Sequence, residues 1–299
     1  MAAKFQTTLA REVAVAGVGV HGGMPANLTL KPAPADTGVV FVRTDLPGRP
    51  AIAARADTVC DTRLATVIGD GSGATVATVE HLMSALAGLG VDNLIAEIDG
   101  PETPIGDGSA ADFVAAIDAA GLVDLAAPRR YLEILAPVEI TAPGKRVALV
   151  PAQRFELSVE IIFDAAVIGR QALDLAIDPA TFRAEIAGAC TFGFLAEVEQ
   201  LRAAGLGRGA SLENTVVVDA NGVMNPQALR RPDDFVRHKA LDALGDLALA
   251  GHPILGRYEA SCAGHALNNQ LVRALLGRAD AWRLTTMAPE TAAARQGTP

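Results

Sequence analysis

The sequence predicts an α+β protein built of two similar halves, because one order of elements occurs twice along it. Residues 7 to about 120 read as strands, helix, strand, helix, and residues 131 to 287 read the same way with one extra unit inserted. Half of the 299 residues are apolar, enough for each half to bury a core of its own. Pro128-Arg129-Arg130 reads as a linker between domains spanning 1–128 and 129–299. Residue identity between the halves is slight, so the duplication shows in the order of elements.

In the first half, strand patterns run from Thr7 to Ala16, Asn27 to Lys31, Val39 to Arg43, Ala51 to Val59 and Arg63 to Ile68, with Pro, Gly and Asp between them. Gly17-Val-Gly19-Val-His21-Gly22 matches the G-x-G-x-x-G of dinucleotide-binding folds, but Pro25 and an alternating strand follow where a helix should begin. It reads better as a turn, either a plain hairpin or one that brings His21 near a ligand. Thr78 to Gly88 is a short helix with Thr78 as N-cap, which puts Glu80 and His81 in its first turn. A strand from Asn93 to Ile98 and a helix from Ser109 to about Ala120 complete this half.

The second half has strands over 131 to 163, a helix beginning at Pro232-Asp233-Asp234 and stopped by Gly251, and a strand from Tyr258 to Ala263. A helix from His265 to Leu276 and a last strand from Trp282 to Met287 follow. The extra unit, at 193–219, is a helix from Leu195 to Ala204 and a strand from Asn214 to Asp219. The polar, small-residue tail after Pro289 is expected to be disordered.

The Asp234 helix carries His238, Asp242 and Asp246 four residues apart, so one imidazole and two carboxylates rise along a single face. Such a pair can hold a zinc ion, although a surface hydrogen bond or ion pair is the plainer reading of the spacing alone. If the halves pack face to face, His81 becomes the third ligand. Two histidines and a carboxylate leave a position open for water, and the same set suits iron(II). Glu80, beside His81, is placed to take a proton from that water. His265, after Ala263-Gly264, is placed to give one to a leaving group. Asp246 would fix the His265 tautomer, and Thr191, in Cys190-Thr-Phe-Gly193, would donate to a developing oxyanion. Each has a plainer alternative, as dipole partner, solvated helix residue, cap or strand residue. Together they make up a metal-assisted amide or ester hydrolase.

The formal net charge of -9 argues against a nucleic-acid partner, which would call for a basic footprint. Three cysteines without C-x-x-C spacing, Cys60, Cys190 and Cys262, read as buried small hydrophobes in a reducing compartment. The run Val13 to Val20 faintly mimics a signal peptide, but Arg11 and Glu12 interrupt it. A cytoplasmic monomer is expected, with at most peripheral membrane contact, since no stretch approaches the roughly 18 consecutive apolar residues that cross a bilayer.

Five ordered blocks carry a resemblance. Thr-Val-Glu-His-Leu-Met-Ser-Ala-Leu (78–86), Pro-Ile-Gly-Asp-Gly-Ser-Ala (104–110), Thr-Phe-Gly-Phe (191–194), Phe-Val-Arg-His-Lys-Ala-Leu-Asp-Ala-Leu-Gly-Asp (235–246) and Gly-His-Ala-Leu-Asn-Asn (264–269) closely resemble the UDP-3-O-acyl-N-acetylglucosamine deacetylases. These are zinc amidases of lipid A biosynthesis, and the resemblance runs from about residue 4 to 287. It implies two similar domains with their helices sandwiched between two sheets and the site in the cleft between them. It further implies His81, His238 and Asp242 as zinc ligands, Glu80 as base, His265 as acid with Asp246 behind it, and Thr191 as oxyanion donor. Lys239 would touch the polar head of an acylated UDP-sugar, with Phe163, Phe192, Phe194 and His21 as further substrate contacts. The 193–219 insert would wall a passage for the acyl chain, lined by Leu201 and Val217, whose apolar side chains also suit plain core packing. Phe163-Asp164 is followed by Ala165-Ala166 where the family has His-Pro, Ala263 replaces a serine, and Ala65 a cysteine. His252 has no assigned role. A nucleotide-sugar or RNA-binding module without catalysis is the rival class, and a zinc amidase or deaminase with another substrate the nearer rival.

Overall fold

The two halves share one topology, which the computed structural model shows over the described residues 3–286. In the first half the sheet runs in the order Val13–Val18, Pro25–Pro32, Leu94–Ile98, Val39–Arg43, Ala51–Ala53. Its central strand, Leu94–Ile98, lies antiparallel to Pro25–Pro32 and parallel to Val39–Arg43. In the second half the order is Val138–Ala142, Lys145–Val150, Ile254–Ser261, Phe155–Ile162, Arg170–Ala176, and Ile254–Ser261 is again antiparallel to the strand before it and parallel to the one after. The duplication expected from the order of elements therefore extends to strand order and direction. Arg130–Ile134 and Trp282–Thr286 extend the second sheet. Alternating apolar residues bury one face of each strand, as along Ile254–Ser261, where every second residue is buried.

Six helices follow in chain order among the described residues: α1 (Glu80–Leu89), α2 (Ala111–Ala120), α3 (Pro179–Thr181), α4 (Val198–Ala203), α5 (Asp234–Ala248) and α6 (His265–Leu276). The single turn of α3 runs on into a π-helical turn over Phe182–Ile186. Helix α5 lies on the Phe155–Ile162 and Arg170–Ala176 strands and packs against α1 and α6. It is buried almost all round, which is why its polar stripe is an interior feature. The α1–α5 contact depends on Gly245, where a Cβ would collide with the carbonyl of Glu80, while Gly88 lets α1 meet the Phe182–Ile186 turn, since a Cβ there would enter the Phe182 ring. No helix among the described residues is long and apolar enough to cross a membrane.

Several expected boundaries move. Thr7 to Ala16 is two strands, Phe5–Leu9 and Val13–Val18, and the first pairs with Leu122–Pro128. Of the expected linker, Pro128 ends that strand and Arg130 begins the next, which leaves Arg129 alone between them, tied to Asp92 by a 2.8 Å ion pair. Ala51 to Val59 breaks into Ala51–Ala53, a 3-10 turn and Val59–Asp61, while the strand expected over Arg63 to Ile68 is Val67–Gly69. Thr78 is not an N-cap: its φ is 58°, its hydroxyl is turned to Glu102, to which it donates, and Val79 takes the cap position without a side-chain bond. Helix α2 starts at Ala111 because Asp107 holds Ser109 in a turn, accepting from its amide at 3.0 Å. In the insert, α4 is shorter than expected and its strand, Val216–Asp219, pairs in parallel with Phe192–Phe194. Cys190 is buried, but Cys60 is exposed and Cys262 only partly covered, so the all-buried reading of the cysteines fails at two of them. Met287 and the tail after Pro289 lie outside the described residues.

Candidate active site

Helices α1 and α5 cross so that the first turn of one faces the middle of the other, and this brings the sequence-predicted ligands together. Nε2 of His238 stands 3.4 Å and Nε2 of His81 3.7 Å from Oδ1 of Asp242, and one donor atom from each of the three lies within 4.8 Å of the others. All three residues are buried. The Nδ1 of His238 donates to the carbonyl of Ala189 at 3.1 Å, which leaves Nε2 as the lone pair facing the cluster. His81 is kept neutral, its pKa pushed down to about 3 by burial and then by the neighbouring His238. His238 is lowered too, chiefly by burial. Burial alone would raise Asp242, but His238, Lys239, His265 and His81 hold it well below the usual carboxylate range. Two neutral imidazole lone pairs and one carboxylate oxygen, buried and too far apart for good hydrogen bonds with one another, make a donor set that fits a divalent cation.

A second cluster adjoins the first. Asp246 accepts from Nδ1 of His265 at 2.9 Å, from Nδ2 of Asn268 at 2.8 Å and from the Thr66 hydroxyl at 2.5 Å. Tyr258 in turn donates its hydroxyl to Asn268 at 2.6 Å. The other nitrogen of His265, Nε2, points toward Glu80, 3.9 Å from Oε1. Burial pushes His265 down, but Asp246, Glu80 and Asp242 outweigh it and leave its pKa raised to about 10, a protonated ring at neutral pH. Glu80 is raised to about 8 by burial, with His265 opposing and the Asp242 and Asp246 charges adding to the rise. Its Oε2 accepts from the backbone amide of Thr66 at 3.0 Å. A carboxyl group and an imidazolium, each with its environment tuned and each facing the other, have the properties of a base and an acid.

Around these, Lys239 pairs with Oδ2 of Asp242 at 2.7 Å and lies 5.5 Å from the centre of the Phe192 ring. Asp242 is the main cause that keeps its pKa raised against the opposing effect of burial. Phe163, Phe192 and Phe194 form one aromatic cluster, with centroids 5.7 to 6.4 Å apart, and Phe192 lies 6.3 Å from the His238 ring. Thr191 precedes this cluster, its amide donating to Gly108 and its carbonyl accepting from Val216. His21 sits in the expected turn; burial lowers its pKa, and the charge of His265 is felt there. Leu201 lies on α4 and Val217 on the insert strand opposite Gly193, both half-buried.

Four participants escaped the sequence reading. Thr66 bonds both Glu80 and Asp246, yet nothing in its spacing signals this, because its partners lie 14 and 180 residues away. Tyr258 lies 10 residues from Asn268 and the Ala189 carbonyl 49 from His238, neither at a spacing that one helix face or strand face would signal. Asn268 did have a signal, since it lies three residues after His265 on the same helix face.

Comparison with known proteins gives the family of the chain. A family model described as "UDP-3-O-acyl N-acetylglycosamine deacetylase" matches residues 6–277. A protein of Phenylobacterium zucineum named UDP-3-O-acyl-N-acetylglucosamine deacetylase is 56% identical over 291 residues, covering 97% of this chain and 99% of its own length. Proteins of the same name from Myxococcus xanthus and Shewanella sp. (strain W3-18-1) are 50% identical over 271 residues and 46% over 288, covering 91% and 96% of this chain and 86% and 94% of theirs. With the family match running through both halves and both clusters, the chain belongs to the UDP-3-O-acyl N-acetylglycosamine deacetylase family.

Proposed function

We propose that this protein removes the N-acetyl group from UDP-3-O-acyl-N-acetylglucosamine, releasing acetate and the free amine, as a step of lipid A biosynthesis. The chain is a hydrolase of a linear amide by family, and the observation that carries the mechanism is the joined pair of clusters around Asp242 and Asp246. His81, His238 and Asp242 would hold zinc, which supplies Lewis acidity toward water and the amide carbonyl. Glu80 takes the proton of the attacking water. Thr191 donates a hydrogen bond to the oxyanion of the tetrahedral intermediate. His265, kept as imidazolium by Asp246, gives its proton to the leaving amine nitrogen, without which C–N cleavage would expel an unstable amide anion. Lys239, His21 and the Phe163–Phe192–Phe194 cluster receive the sugar nucleotide, and the 193–219 insert, with Leu201 and Val217, covers the acyl chain. Taking 1–128 and 129–299 as the two domains, each contributes to the metal set. All parts come from one chain, which supports a monomer, placed in the cytoplasm where sugar nucleotides are made.

The test is acetate release from the acylated substrate by fresh enzyme, by enzyme stripped with chelator, and by stripped enzyme given one equivalent of zinc or of iron(II). Activity lost and then regained best with zinc is expected. Turnover that survives full metal removal would overturn the proposal.

A further inference from the structure

The Gly17-Val-Gly19-Val-His21-Gly22 stretch has the composition of an anion-binding loop, and it holds an anion from the same chain, the side chain of Glu102. The backbone amides of His21 and Gly22 donate to its two carboxylate oxygens at 2.8 and 2.7 Å, and the Thr78 hydroxyl donates to Oε1 at 2.9 Å. Three charge-assisted bonds satisfy a carboxylate that is only 6% exposed. The glycines make the room: a Cβ at Gly19 would fall on the Glu102 side chain, and one at Gly22 would come within 3.2 Å of its Oε2.

Both sides of this clamp lead to the site. On one side, the Thr103 hydroxyl donates to the Thr78 carbonyl at 2.5 Å, and Ala77 exchanges backbone bonds with Pro101 and Thr103 at 2.8 and 3.1 Å. Residues 101–103 thus hold Thr78 at its unusual φ of 58°, two residues before Glu80. On the other side the insert is stitched to the glycine turn. The Arg208 amide donates to the His21 carbonyl and the Gly209 amide to the Val20 carbonyl, each at 3.0 Å. Gly209 has to be glycine here, since a Cβ would collide with the carbonyl of Gly19.

We propose that Glu102 is a positioning residue for the substrate. Its carboxylate fills the turn as a phosphate fills a nucleotide-binding loop, and through that turn it fixes His21 and the Arg208–Gly209 edge of the insert relative to Glu80 and His81. That this edge bounds the acyl passage rests on the proposed function; the clamp itself does not.

The experiment uses the full chain with Glu102→Gln, Glu102→Ala and Gly209→Ala. Glutamine keeps the shape but turns an N–H donor toward a backbone amide or the Thr78 hydroxyl. In Glu102→Gln, amide hydrogen exchange over residues 19–23 and 206–210 is expected to quicken about tenfold or more while α5 stays as protected as before. The KM for the acylated sugar nucleotide is expected to rise about fivefold or more, with kcat within about twofold, since a misplaced wall weakens binding but leaves the reacting groups in place. Gly209→Ala breaks the same stitch from the insert side, so it should reproduce the KM effect even if Glu102→Ala fails to fold. Unchanged exchange in both segments, or a fall in kcat at constant KM, would overturn the proposal. Should the wild type release no acetate from this substrate, the proposed function fails, and the exchange measurement still decides the clamp.

Discussion

Asp246 ties the proposed acid and base together, since the Thr66 that donates its hydroxyl to Asp246 also donates its amide to Glu80, while Asp246 itself holds His265. Removing its charge in Asp246→Asn takes away the largest of the influences that raise His265 and leaves burial, which lowers an imidazole pKa, opposed by Glu80 and Asp242 alone among the charges that raised it. The acid works only when protonated, so activity is present below the His265 pKa and is lost as pH rises through it. The basic limb of the kcat/KM profile should therefore move to lower pH by about one unit or more, measured by acetate release between pH 6 and 10 on buffers of constant ionic strength. A profile that keeps its basic limb would remove Asp246 from the role. Glu80→Gln should lower kcat by about 10²- to 10⁴-fold, because the water loses its base, while metal content by atomic absorption stays at that of the wild type. Loss of the metal along with the activity would mean that Glu80 holds the ion's site together rather than the proton. At this scale the ligand stripe was legible because i, i+4 spacing is local. Thr66, Tyr258 and the Ala189 carbonyl were not, because only the tertiary fold brings them to their partners.

The element that sets the site's dimensions is the α1–α5 crossing, and the crossing is set by glycine. With no Cβ at Gly245, the backbone of α5 approaches the first turn of α1 closely enough for His81 to reach the His238–Asp242 pair. Gly245→Ala should therefore push the helices apart, at a cost of about 1–3 kcal/mol typical of overpacking. Urea unfolding would measure that cost, and a weakened metal affinity should accompany it, because the ligands sit on both helices. If stability falls while metal affinity holds, the crossing is not what spaces the ligands. Helix α5 was legible from its start at Asp233-Asp234, since its periodicity is long, and it ends at Ala248, three residues before the expected stop at Gly251. The strands were legible in number but not in their ends. Thr7 to Ala16 contains no breaker, and only the pairing of Phe5–Leu9 with the distant Leu122–Pro128 divides it. Thr78 has the residue type of an N-cap, but the contacts of residues 101–103 win over it: they hold it at a φ of 58° with its hydroxyl toward Glu102, and Val79 takes the cap position. Local propensity cannot report such a competition.

Across the whole molecule, two topologically equivalent halves each lend a helix to one donor cluster, so the metal should act as a cross-link as well as a reagent. The duplicated strand order was partly visible in the sequence, whereas which faces meet was an assumption until α1 was seen packed on α5. With the ion absent, the lone pair of His81 faces the Asp242 carboxylate across the α1–α5 contact at 3.7 Å and that of His238 faces it along α5 at 3.4 Å, while Lys239 pairs with the other carboxylate oxygen. An ion that binds only the folded chain stabilises it by RT ln(1 + [L]/Kd), about 4 kcal/mol at a thousandfold excess over Kd. For a chain of 299 residues, with about 2.1 cal/mol/K of unfolding entropy per residue, that amounts to roughly 6–7 °C in Tm. Scanning calorimetry of the loaded protein, the chelator-treated protein and the reloaded protein should show this drop and its recovery. Asp242→Ala takes one ligand from the cluster, so its Tm should no longer respond to chelator. Were the loaded and stripped proteins to unfold at the same temperature with metal loss verified, the ion would contribute to chemistry alone, and the two halves would be held together by the apolar contact of α1 and α5 and the rest of their shared core.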